Sequence, residues 1–213
     1  MTALPSDLDG HLRHVPTQAR SRARLRLVLD AADQILAAEG ADAFTTTRIA
    51  VVAGIPVGSV YHYFPDKAAI VDALAVDYWN GVAALVQAAA DTDERAPLAD
   101  PAGAVLDTLA AGFRARPGFL ALWYGGLRSE RVRDVTRGTR AAIAAAIERI
   151  LAVHWPAAPA PDRVTAARMV VIAGDGLLRE AFRTAPGGDP VVLAEGQAML
   201  DAYVAARLGG PPA

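Results

Sequence analysis

TTTRIAVVAGIPVGSVYHYFPDK, from Thr45 to Lys67, is the stretch whose spacing decides the fold. Read at helical spacing, it gives two short helices joined by a tight turn. Thr46 stands as the N-cap, its hydroxyl accepting from a backbone N–H of the first turn. Ile49, Ala50 and Ala53 then share one face of a helix of about two turns. Gly54 ends it, because glycine takes the left-handed conformation of a sharp helix stop. A second helix runs from about Val57 to Phe64, with Val60, Tyr63 and Phe64 packing back. The small Ala50 lets the helices cross steeply and closely, as in a helix-turn-helix. Taken alone, the spacing also fits an ordinary helical hairpin.

The chain has 213 residues, enough for one large or two small domains with a real core. Hydrophobic residues make up 53% and charged residues 21%, the composition of a soluble globular protein. Without cysteine there are no disulfides, cysteine-built zinc fingers or cysteine nucleophiles. The start, MTALPSDLDG, is acidic and lacks the apolar core of a signal peptide. Apolar runs such as Met169 to Gly174 fall far short of the roughly 20 residues of a membrane span. The expectation is a soluble, cytoplasmic protein with no membrane partner. The net charge of −2 hides an asymmetry: Arg13, Arg20, Arg22, Arg24 and Arg26 precede Asp30 with no acidic residue among them. That is a footprint for phosphates, or else a solvated basic helix start.

Upstream of the motif, Leu25, Val28, Leu29, Ala32, Ile35 and Leu36 form an amphipathic stripe that Gly40 ends. With Phe44 it covers the helix pair and makes a three-helix head. Asp66 is an N-cap for a long helix to about Asp91, followed by a loop over 91–100. Helices are expected at about 101–116, 118–127, 130–153, 162–184 and 189–208, separated by proline and glycine. No stretch alternates with period two, so the fold class is all-α with about nine helices. Met169 to Leu178 is apolar on nearly every side and needs cover all round. The last helix offers Val192, Met199, Leu200, Tyr203 and Val204 along a stripe. Paired with a second copy, these two helices make a four-helix bundle, giving a homodimer; burial within one chain is the alternative.

With head and body placed, the sequence resembles the TetR/AcrR family of bacterial transcriptional regulators. The likeness is carried by LDAADQILAAEGADAFTTTRIAVVAGIPVGSVYHYFPDKAAIVDAL, Leu29 to Leu74. Pro56 stands where the family often has a polar cap, though proline suits a first helical turn. The resemblance implies a basic arm at 1–20, a DNA-binding head at 21–66 and a ligand-sensing, dimerising body at 67–213. It implies a palindromic double-stranded DNA operator as partner, and a repressor released when a small hydrophobic molecule enters the body. A DNA-binding architectural protein that senses nothing is the competing reading.

A recognition helix reads base edges from its N-terminal end. Val57 can touch a thymine methyl and Ser59 can bond to several bases, while Gly58 adds no side chain. Arg48 is the candidate for a bidentate guanine contact, with a phosphate contact as the alternative. Thr47, Tyr61, Tyr63 and Lys67 resemble the family's phosphate-binding residues, and hydroxyls and ammonium groups near helix N-termini suit that role. His62 points outward toward base, phosphate or solvent. In the body, Trp79, Phe113, Phe119, Trp123 and Tyr124 are candidate walls of an apolar cavity, with Asp107, Arg128 and Asp175 as polar anchors. Aromatics at this spacing also fit an ordinary core, and Asp175 fits an i,i+4 pair with Arg179. His11, His14 and His154 are placed in arm and loop without metal spacing, so no metal or cofactor is expected. No convergent catalytic set is found, and an enzyme is not expected.

Overall fold

The computed structural model describes Leu12 and residues 18–98, 100–118, 120–121, 130–183 and 185–210, with 130–135 as backbone only. Among these residues there are eight helices and no strand: α1 Ala19–Ala38, α2 Thr46–Ala53, α3 Val57–Tyr63, α4 Lys67–Asp93, α5 Pro101–Ala115, α6 Glu130–His154, α7 Ala160–Arg183 and α8 Pro190–Leu208. The all-α expectation holds. The further helix expected at 118–127 lies mostly outside the described residues, with helical backbone at Gly118, Leu120 and Ala121.

The chain divides into two compact units. The first comprises Met1–Asn80 with Arg116–Thr136, and the second Gly81–Ala115 with Arg137–Ala213. In the first, the predicted α1 stripe is buried in full and packs with Phe44, Ile49, Ala50, Val60, Phe64, Ile70 and Leu74. Gly54 stops α2 in the left-handed region at φ 65°, and its N–H returns to the carbonyls of Ala50 and Val51. The cap of α2 is Thr45, one residue earlier than expected. Its backbone is already extended there, and its hydroxyl accepts from the Arg48 N–H at 3.1 Å. Asp66 caps α4 as expected, accepting from the Ala69 N–H at 2.8 Å.

In that unit, Arg26 forks both oxygens of the buried Asp77 at 2.7 and 2.9 Å. Arg116 bridges Asp77 and Asp30, each at 2.9 Å. The basic run is therefore not uniformly presented to solvent: Arg20, Arg22 and Arg24 are exposed, whereas Arg26 completes a charged cluster. Arg13 lies outside the described residues. By length and composition α4 could cross a membrane, with a mean hydropathy of 1.4 in its best window, although the sequence holds no long unbroken apolar run. Its alanines and valines supply that average. Two-thirds of the window (67%) is buried inside the protein, as in a core helix.

In the second unit, Val82 and Val86 of α4, Phe113 of α5, Ile147 and Ile150 of α6, Phe182 of α7 and Leu200 of α8 are among the buried residues. The rings of Phe113 and Phe182 stack at 5.3 Å. His154 departs from its expected place in a loop. It sits in the last turn of α6, 4% exposed, with Nε2 2.8 Å from Asp93 Oδ1. The same Asp93 oxygen accepts from the Leu98 N–H at 2.8 Å, so the carboxylate orders the chain leaving α4. A partner 61 residues away has no local sequence signature.

Candidate nucleic-acid interface and ligand cleft

Several of the head residues are exposed on α2 and α3 of the first unit. Thr47 and Arg48 stand exposed in the first turn of α2, and Val57, Gly58, Tyr61 and His62 are exposed on α3. The Tyr61 and Thr46 hydroxyls lie 3.0 Å apart and join that face of α3 to the start of α2. Ser59 is half-buried. One of the expected contact residues, Tyr63, is held otherwise. Tyr63 is 4% exposed and its hydroxyl meets Ser21 at 2.9 Å, so it packs the head. The exposed Lys67 ammonium sits 5.4 Å from the centre of the Phe44 ring, a cation–π contact that leaves the charge at the surface.

Arg48 is positioned by a residue that sequence reasoning missed. Glu39, just past the end of α1, takes hydrogen bonds from its Nε at 3.0 and 3.2 Å and from its Nη2 at 2.8 Å. The guanidinium holds the Glu39 carboxyl below the usual carboxylate range. Gly58 stands in open space, with nothing within 4 Å of where a Cβ would be. Nothing in the fold requires glycine there.

Trp79 is buried in the first unit, Phe113 stacks on Phe182 in the second, and Asp107 is exposed. Asp175 pairs with Arg140 at 2.6 Å and with Arg179 at 3.4 Å, the latter as expected for i,i+4. Phe119, Trp123, Tyr124 and Arg128 lie outside the described residues. The second unit instead carries an apolar cleft, lined by Val105, Leu106, Ile150, Val170 and Leu200 with the Trp155 indole. Its interior room is about 30 Å³. Drug-sized pockets run from roughly 300 to 1,000 Å³, so such a ligand has to spread the helices. These aliphatic residues carry the same helical stripes as a filled core, which is why spacing does not single them out. Among the described residues no group of three or more acidic or histidine side chains is placed to hold a metal.

The comparisons agree with this architecture. The family model described as "Bacterial regulatory proteins, tetR family" matches residues 28–74. That described as "Tetracyclin repressor-like, C-terminal domain" matches residues 97–203, half of the chain. A search of curated proteins gives no match. Among solved structures, a TetR-family transcriptional regulator from Streptomyces coelicolor is 28% identical, covering 87% of this chain and 99% of its own, with a TM-score of 0.62. The regulator PfmR from Thermus thermophilus is similar in fold at 21% identity, 86% and 97% coverage and a TM-score of 0.60. The multidrug binding protein EbrR, complexed with ethidium, is similar in fold at 21% identity, 84% and 98% coverage and a TM-score of 0.60. A head with exposed polar residues on paired helices, an all-helical body and two family matches that meet these parts have one reading: the chain belongs to the TetR family of bacterial transcriptional regulators.

Proposed function

We propose that this regulator binds a palindromic double-stranded operator as a homodimer, and that a small hydrophobic molecule in its body releases it. We assign residues 1–20 to a basic arm, 21–66 to the DNA-binding head and 67–213 to the sensing and dimerising body. The observation that carries the reading is the exposure of Thr47 and Arg48 on α2 and of Val57, Gly58, Tyr61 and His62 on α3, with the Thr46–Tyr61 contact joining the two helices. Val57, Arg48 and Ser59 are assigned to base edges; Thr47, Tyr61 and Lys67 to phosphates; His62 to either. Tyr63 supports the head from within.

The dimer reading is supported by the outer faces of α7 and α8. Thr165, Met169, Ile172 and Gly176 are exposed at helical spacing, as are Val191, Glu195, Ala198 and Ala202. Two heads have to present recognition helices about one DNA turn apart, roughly 34 Å or a multiple of it. A ligand that favours another spacing weakens DNA binding by its differential affinity, typically about 1–3 kcal/mol. EbrR, named for multidrug binding, supports a body that senses small molecules. Such a regulator works beside the chromosome, in the cytoplasm. The narrowness of the cleft favours the second reading, a DNA-binding protein whose body senses nothing.

The test is selection of bound sequences from a random DNA pool at two salt concentrations. A palindromic site with a steep salt slope supports the dimeric regulator. Salt-sensitive binding without an enriched sequence moves the reading to the architectural protein.

A further inference from the structure

The lining of the cleft in the second unit restricts what it can hold. Its side chains are aliphatic except for Trp155, whose indole N–H is already donated to the Gly210 carbonyl at 2.8 Å. Among the described residues no charged side chain and no hydroxyl or amide side chain lines the space. An ion brought there would shed its water with neither counter-charge nor hydrogen-bond partner to replace it. A hydrocarbon chain loses nothing of that kind and gains by leaving water.

A second observation concerns Gly174, which lines the cleft. The residue is buried in α7, yet a methyl built on it would meet no atom within 4 Å. Buried backbone facing open space marks where additional apolar volume fits. Beside the cleft, Asp100 precedes the lining residues Pro101 and Ala102, and Gln197 lies one turn before Leu200. Gln197 Nε2 donates to Asp100 Oδ2 at 2.6 Å, so a polar latch ties the start of α5 to α8 next to apolar space.

We propose that this cleft takes the uncharged alkyl chain of a molecule such as a long-chain alcohol, and excludes charged groups from its interior. The proposal rests on the reading of the second unit as a sensing body and names its ligand class. The present room of about 30 Å³ accommodates the tip of such a chain. Longer chains enter by parting α8 from α5, which opens the Asp100–Gln197 latch.

The experiment is calorimetric titration of the full-length protein with n-alkanols from hexanol to dodecanol, below their aggregation limits. Alkyltrimethylammonium ions of the same chain lengths serve as the charged series. Affinity rises about fourfold per methylene among the alkanols until the cleft is full, and the ammonium series binds at least tenfold more weakly at equal length. Gly174→Leu fills the space and weakens alkanol binding at least tenfold with an unchanged or raised unfolding temperature. Gly174→Ala, a single methyl in open space, weakens it by about fourfold and guards against misfolding of the larger variant. Equal affinity for both series, or Gly174 variants that fold and bind alkanols as the parent does, overturns the proposal. Alkanol binding that leaves operator affinity unchanged keeps this site and overturns ligand release. Release by the ammonium series, with no alkanol binding, does the reverse.

Discussion

Arg48 and Glu39 form an ion pair across the junction of α1 and α2, with three hydrogen bonds of 2.8 to 3.2 Å from one guanidinium to one carboxylate. Both side chains are exposed, so the pair adds little to stability and acts on orientation. A guanidinium already held on its Nε side reaches a guanine edge with less ordering left to lose. Arg48→Ala is expected to lower discrimination at one base pair per half-site by between about 5- and 150-fold, with an unchanged unfolding curve. Glu39→Gln is expected to tighten binding to non-specific DNA, because a negative charge near the phosphates is gone, while base preference at the Arg48 position weakens. Sequence selection with each variant checks both effects; unaltered base preference in Arg48→Ala removes the assigned role.

Gly58 separates folding from binding. A glycine in a helix costs up to about 1 kcal/mol relative to alanine, less near a terminus, and no neighbour here forbids a Cβ. Gly58→Ala is therefore expected to stabilise the protein by about 0.5 kcal/mol. The same methyl stands on the surface assigned to DNA, where it keeps the duplex from approaching α3, and operator affinity falls about tenfold or more. Urea unfolding and a mobility-shift titration on one preparation decide it. Tighter DNA binding by the variant would sink the assignment of this face.

The parts of the fold that were legible in the sequence are those written locally. The α1 stripe from Leu25 to Leu36, the Gly54 stop and the Asp66 cap each depend on residues within a few positions of one another. Thr45 and Thr46 show the limit of that reading: both offer the same hydroxyl, and only the backbone angle chooses between them. Illegible were the pairs that tertiary folding creates, such as His154 with Asp93 or Arg116 with Asp30, because charge carries no address along the chain. The cleft was illegible for a different reason. Val105 or Ile150 looks the same in sequence whether its far side meets a neighbour or a gap. Aromatic residues are a poor guide to such a gap, since Phe113 fills the core against Phe182.

Asp33 gives the head a pH dependence of stability. Burial pushes its carboxyl from the ordinary 3.8 up to about 6, against the opposing pull of Arg116 and a hydrogen bond from the Gly118 N–H; Asp30 and Asp77 push it further up. Gly118 lies so close that a Cβ there would come within 2.3 Å of the Asp33 carbonyl oxygen. Between about pH 4 and 6 the folded chain holds a proton that the unfolded chain has released. Stability from this group is therefore present at low pH and lost as pH rises through that window. The full shift corresponds to about 3 kcal/mol, which solvent near the carboxyl reduces to roughly 1–2. Asp33→Asn is expected to flatten the urea-unfolding profile across pH 4 to 6. A slope identical to that of the parent protein assigns the titration to another group.

The outer faces of α7 and α8 make the remaining prediction. Ile172 is 61% exposed and Met199 49%, while Val170, Leu178, Leu200 and Val204 on the same helices face the interior of their own chain. Each helix thus has an inner stripe already covered and an outer one that stands exposed, the face assigned to the proposed dimer. Ile172→Asp changes only the outer stripe, so its helix content and unfolding temperature should stay those of the parent. At a twofold axis the substitution sets like charges near each other in an apolar interface. Analytical ultracentrifugation should show a monomer at concentrations where the parent is dimeric. Operator affinity should then fall at least a hundredfold, because each half-site has to be bound without the effective concentration that a linked partner supplies. If Ile172→Asp remains dimeric, the interface lies on another face; if it becomes monomeric and keeps full operator affinity, the dimer is not what holds the regulator on DNA.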